Sequence, residues 1–137
     1  MTVNADDFAV FLADRFATIV PAGIRVEARD GVLWYSAYRG RFPGQQGDYQ
    51  TGQVATCVRD NLGAYGETDA DDLAGVAAQA LDELQDYISE ATHDPWPGTT
   101  AQPRPYARIG DSMLYLGYGD PDAPILACTP IPLPPDP

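Results

Sequence analysis

Apolar residues recur at helical spacing in two stretches of the chain. In the first, about residues 4–20, the apolar stripe consists of Phe8, Phe11, Leu12, Phe16, Ile19 and Val20. Asn4 is suited to cap the helix, and Pro21 ends it because proline cannot continue the hydrogen-bond pattern. The stripe therefore predicts an amphipathic helix whose phenylalanines belong to a protein core.

The second stretch runs from Asp69 to about Thr92 and has the stronger helical pattern. Its apolar side is formed by Leu73, Val76, Ala77, Ala80, Leu81, Leu84, Tyr87, Ile88 and Ala91. Thr68 is a natural cap, and Pro95 favours an end to the helix because a residue before proline avoids helical conformation. The spacing predicts a helix of about six turns with one buried side.

Alternation between apolar and charged residues begins after the first predicted helix. It predicts a strand from Ile24 to Arg29, and Asp30-Gly31 is a strong signal for a two-residue hairpin turn. The returning strand then runs from Val32 to Tyr38. The sequence therefore predicts an antiparallel hairpin.

The turn also predicts which residues of this hairpin share a face. With a two-residue loop, Arg29 pairs with Val32, and Glu27 pairs with Trp34. Cross-strand partners lie on the same face of a sheet. The face expected to meet the core carries Ile24, Val26, Ala28, Leu33, Tyr35 and Ala37. The opposite face, called the Trp34 face below, carries Arg25, Glu27, Arg29, Val32, Trp34, Ser36 and Tyr38.

Shorter segments complete the predicted fold. Strands are expected at residues 53–59, 106–109, 113–118 and 125–128, with a second hairpin of open register around Gly110-Asp111-Ser112. The order predicts an α+β domain over residues 1–128, with two amphipathic helices on one face of a mainly antiparallel sheet of five to six strands. Residues 129–137 are rich in proline and are expected to form a weakly ordered tail.

Composition and charge exclude several classes of function. The 137 residues suit one domain, and 20 acidic against 8 basic residues give a net charge of −12. Such a balance argues against binding to nucleic acid or anionic membranes, which need clustered positive charge. No apolar run is long enough to span a membrane. The acidic start of the chain and two distant cysteines, Cys57 and Cys128, favour a cytoplasmic protein with reduced thiols.

Candidate catalytic chemistry is sparse. Asp86, Ser89, Glu90 and His93 share one polar side of the second helix, but a single convex helix side lacks the converging donors of a triad. The glycine-rich loop at residues 39–47 lacks the spacing of phosphate-binding motifs. We therefore predict no catalytic residue, no metal site and no cofactor.

Two surfaces are candidates for binding. On the Trp34 face the candidate residues are Arg25, Arg29, Trp34 and Tyr38, since aromatic and arginine side chains are enriched at interfaces. Either a partner contacts this face, or the second hairpin or the tail covers it. The alternative is an acidic helix face formed by Asp82, Asp86 and Glu90, within a segment, residues 67–94, that has nine acids and no base. Such a face is either simply solvated or docks a basic target.

Several segments resemble a family of small acidic proteins from high-GC bacteria. They are Leu33-Trp34-Tyr35-Ser36, Gly40-Arg41-Phe42-Pro43-Gly44, residues 80–88 and residues 92–98. The resemblance implies no activity. The order of elements is also similar to the type III secretion chaperone-like fold, whose members bind partner polypeptides, often as dimers.

These observations predict a non-enzymatic cytosolic protein-binding module, chaperone-like or an adaptor, with self-association as a homodimer among its modes. The alternative is an acidic immunity or inhibitor protein that neutralises a basic target through the helix at residues 67–94.

Overall fold

The computed structural model describes residues 4–38, 49–58, 70–92, 95–98 and 103–133. Within these residues the chain is an α+β protein with antiparallel strand pairs, which confirms the predicted fold class. The elements are α1 (Ala5–Ala17), β1 (Ile24–Arg29), β2 (Val32–Tyr38), β3 (Tyr49–Cys57), α2 (Ala70–Thr92), β4 (Pro105–Gly110), β5 (Met113–Asp120), β6 (Ala123–Ala127) and β7 (Ile131–Pro132).

The strands form two sheets, whereas the sequence predicted one. The first sheet has the order β1-β2-β3, and in the second β5 pairs with β4 on one side and with β6 and β7 on the other. The long helix α2 separates the two groups of strands along the chain and packs against strands of both. A helix in that position allows each sheet to bury its apolar side against the same element.

The first hairpin has the predicted register. Arg29 pairs with Val32, and Glu27 pairs with Trp34. Asp30 and Gly31 adopt φ angles of 54° and 75°, the left-handed conformation that a type I′ turn requires at both central residues. The predicted core face is also confirmed: its members Ile24, Val26, Ala28, Leu33, Tyr35 and Ala37 all belong to the core or pack against it.

Helix α1 begins with the predicted cap. The Asn4 side-chain oxygen accepts hydrogen bonds from the backbone N–H groups of Asp6 (2.8 Å) and Asp7 (3.3 Å). Along the helix, Phe8, Leu12 and Phe16 are fully buried. Phe11 was predicted on the same stripe but is 39% exposed. The buried residues Phe8, Leu12 and Phe16 follow one another at intervals of four, and Phe11 lies at the border of the side that they form.

Helix α2 is held between the sheets by two tyrosines. Tyr35 of β2 donates a hydrogen bond to the carbonyl oxygen of Ala80 (3.4 Å), and Tyr118 of β5 donates to that of Leu81 (2.6 Å). The predicted apolar side is buried at Leu73, Val76, Ala77, Ala80, Leu81, Leu84, Tyr87 and Ile88. Ala91, near the end, is exposed. The predicted cap, Thr68, lies outside the described residues.

The start of the proline-rich tail is part of the folded domain, which differs from the prediction. Ile131 is 1% exposed and belongs to the core, and β7 pairs with β5. The Arg15 side chain donates to the carbonyl oxygens of Thr129 (3.4 Å) and Pro130 (3.3 Å). Proline lacks only the N–H donor, so the segment can still dock through its carbonyls and through Ile131. Residues 134–137 lie outside the described part of the chain.

The thiol of Cys128 is free and buried. Burial raises its pKa from the ordinary value of 9.0 to about 12, and the Arg15 guanidinium partly opposes this rise. The side chain of Cys57 lies outside the described residues. The folded protein therefore keeps the Cys128 thiol protonated at a pH where the unfolded chain ionises it.

This pKa predicts a loss of stability in alkali. Above about pH 9 the unfolded chain binds fewer protons than the native protein, so the free energy of unfolding falls as pH rises. The Cys128 thiol should contribute a loss of about 1.4 kcal/mol by about pH 10. Urea unfolding between about pH 8 and pH 10 should give a shallower decline for Cys128→Ala than for the wild type. Equal declines would contradict the assignment to this thiol.

Candidate functional site

Strand β1 forms an open edge of the first sheet within the described part of the chain. Its inner side pairs with β2, and no described strand pairs with its outer side. A two-residue loop makes Arg29 and Val32 a hydrogen-bonded pair, and such pairs recur at every second residue. The main-chain groups of Arg29, Glu27 and Arg25 therefore face β2, and those of the residues between them face outward. The main-chain N–H and C=O groups of Val26 and Ala28 therefore point away from the sheet, where another strand can bind them.

A groove runs along this edge between α1 and β1. Its volume is about 390 Å³, and we call it the β1 groove. It is lined by Val10, Ala13, Asp14, Ala17, Val26, Glu27, Ala28 and Arg29. Small alanine side chains leave room between the helix and the strand, and Val10 beside them is 46% exposed. The open edge and the groove, which has both apolar and charged lining residues, together offer main-chain hydrogen bonds and side-chain contacts to an extended polypeptide.

The predicted residues of the Trp34 face interact with one another. The Arg25 Nη1 atom lies 3.5 Å from Glu27 Oε1, with side chains 50% and 41% exposed. The Arg29 guanidinium lies 5.0 Å from the centroid of the Trp34 ring, within the range of a cation–π contact. Trp34 is half-buried, and the side chain of Tyr38 lies outside the described residues. Arg25 and Arg29 therefore place two positive charges on β1, beside the β1 groove.

The Trp34 face is only partly covered within the described residues. The second hairpin, β4–β5, and residues 131–132 of the tail were the candidates within the chain, and both belong to the other sheet. Ser36, on the same face, is 2% exposed. Part of this face is therefore covered, while Arg25 and Arg29 reach solvent.

The acidic helix face is on the outside of the protein. Asp82, Asp86 and Glu90 are all exposed, as expected for polar positions spaced by four along α2. His93 lies outside the described residues. The described residues contain no group of three metal-ligating side chains, and no described helix is long and apolar enough to cross a membrane.

The structure brings together residues that the sequence did not connect. The sequence predicted that residues of β1 belong to a binding surface only through the Trp34 face. In the structure β1 also lines the β1 groove, together with Val10, Ala13 and Ala17 of α1. Neither the open edge nor the position of α1 beside it can be recognised from local patterns, because the first depends on strand order and the second on how the helix docks. The one weak signal in the sequence is Val10, an apolar residue outside the predicted stripe of α1.

Comparisons with family models, with curated proteins and with solved structures give no match for this chain. The resemblances drawn from the sequence therefore stay predictions.

Proposed function

We propose that this protein is a non-enzymatic binding module, chaperone-like or an adaptor, that takes up an extended polypeptide along β1. The observation that carries the proposal is the open outer side of β1, where the main-chain groups of Val26 and Ala28 point outward beside the β1 groove. Addition of a strand to such an edge provides affinity through main-chain hydrogen bonds.

The surroundings of the edge support this mode of binding. Natural proteins commonly protect an edge strand with charged side chains, proline, a bulge or inward-pointing charges, because an open edge invites pairing. Residues 24–29 contain no proline, and the residues of β1 facing the core are Ile24, Val26 and Ala28. The charged residues Arg25, Glu27 and Arg29 lie on the opposite face, where they can select a partner. We also propose a cytoplasmic location, which the free thiol of Cys128 supports.

A photo-crosslinking experiment tests the proposal. A benzophenone amino acid replaces Ala17, which is exposed and lines the β1 groove, or Ala123, an exposed alanine at the start of β6. In the native cell we expect adducts with a polypeptide at position 17 and few at position 123. Mass spectrometry identifies the adduct, and amide hydrogen exchange should show that the bound polypeptide protects Val26 and Ala28. Equal labelling at both positions, or no protection of these amides, would contradict binding at β1.

The acidic face favours a second candidate function. Asp82, Asp86 and Glu90 form an exposed row on α2, and the net charge of −12 attracts a basic protein at long range. An immunity or inhibitor protein would use this face to neutralise its target. Under that function, adducts would appear with a benzophenone amino acid at Gln79, another exposed position on α2, and not at Ala17.

A further inference from the structure

We infer that the polypeptide bound by β1 is the β1 strand of a second copy of this chain, paired antiparallel about a two-fold axis at Val26. This inference rests on the proposed function, since it names the partner of the same edge. Outward main-chain groups occur at Val26 and Ala28 and at the carbonyl of Ile24, whose N–H already donates to the carbonyl oxygen of Pro21 (3.2 Å). An antiparallel partner must place its own outward groups opposite them. With the axis at Val26, Ile24 lies opposite Ala28 of the partner subunit.

The charges of β1 are complementary to themselves in this register. Arg25 lies opposite Glu27 of the partner subunit, and Glu27 lies opposite Arg25 of the partner subunit. Residues in these non-hydrogen-bonded pairs have the closest side chains in a sheet, so opposite charges stabilise the pairing. The Arg25–Glu27 contact of 3.5 Å within one strand becomes part of a group of four alternating charges.

Neighbouring registers lack this complementarity. An axis at Arg25 places the two copies of Arg25 opposite each other, and an axis at Glu27 does the same for Glu27. Like charges directly opposite destabilise a strand pair. An axis at Ala28 again pairs opposite charges but places Val26 opposite Asp30, whose φ of 54° belongs to the turn and cannot extend the ladder. The axis at Val26 is therefore the register that pairs β1 from Ile24 to Ala28 with opposite charges facing each other.

Apolar surface next to the edge is covered in the same arrangement. Cross-strand partners share a face, so the two copies of α1 lie on one side of a continuous sheet of six strands. Val10, which lines the β1 groove and is 46% exposed, then faces the partner's helix. The two Trp34 faces join on the other side of the sheet and form one two-fold symmetric surface.

Reversing the charge of Arg25 or of Glu27 tests the inferred dimer. Glu27→Arg places arginines opposite each other across the interface, and Arg25→Glu places glutamates there. Sedimentation of the full chain over a concentration series should show a dimer for the wild type. For either variant the dissociation constant of the dimer should be at least about tenfold higher. An equal mixture of the two variants should form a heterodimer. One chain then has arginine at positions 25 and 27, the other has glutamate at both, and every pair across the interface has opposite charges.

Matched controls and outcomes separate this inference from the proposed function. Arg108 and Asp122 form another exposed pair at 3.5 Å, so Arg108→Glu and Asp122→Arg change the net charge equally without touching β1. They should leave the dimer intact. A monomeric wild type, or single variants that dimerise as well as the wild type, would overturn the second-copy inference. If adducts at Ala17 then contain a different polypeptide, the proposed function stands; if there are none, both are wrong.

Discussion

A chain that ends at Thr129 is expected to lose at least about 2–5 kcal/mol of unfolding free energy, the cost of removing one large buried aliphatic side chain. The truncation deletes Ile131, which is 1% exposed, and the β7 strand that pairs with β5. It also removes the acceptor at Pro130 for the Arg15 side chain. Urea unfolding of the truncated and full chains measures the difference directly.

Two point variants show whether this loss comes from the side chain of Ile131. Ile131→Ala keeps the backbone of β7 and should cost about 2–5 kcal/mol by itself. Pro132→Ala changes the exposed neighbour and should stay within about 0.5 kcal/mol. If truncation shifts the midpoint no more than Pro132→Ala does, the tail is not part of the core.

The first hairpin was predictable from the sequence because its information is local. Asp30-Gly31 selects a type I′ turn, and that turn determines both the register and the face of every residue from Ile24 to Ala37. The second hairpin shows the limit of the same reasoning. Gly110 suggested a turn, but it lies at the end of β4, and Asp111 and Ser112 adopt the left-handed φ angles of 53° and 61°. Several loop lengths fitted those residues equally well.

Contacts between distant segments account for the features that the sequence did not predict. Arg15 meets the carbonyl oxygens of residues more than a hundred positions away, and this contact helps to dock a segment whose proline content indicated disorder. The division into two sheets depends in the same way on where α2 packs. The candidate site combines both kinds of information. Local pattern predicted the charged face of β1, but its open edge and the groove beside α1 follow only from the assembled fold.

Leu84→Ala is expected to lower the free energy of unfolding by about 2–5 kcal/mol, because it opens a cavity in a fully buried part of the core. Alanine is the best helix former, so the substitution does not weaken the helix itself, and the loss measures packing alone.

Asp82→Ala is the matched control for this variant. Asp82 is exposed on the same helix, two residues away, and its loss should change stability by no more than about 0.5 kcal/mol. Both variants introduce alanine into α2, so any difference between their urea midpoints reflects the side of the helix that each residue occupies. A large difference is expected, since Leu84 and the hydrogen-bonded carbonyl of Leu81 lie on the side that holds the two sheets together. Equal shifts would mean that α2 does not pack between the sheets in solution as it does here.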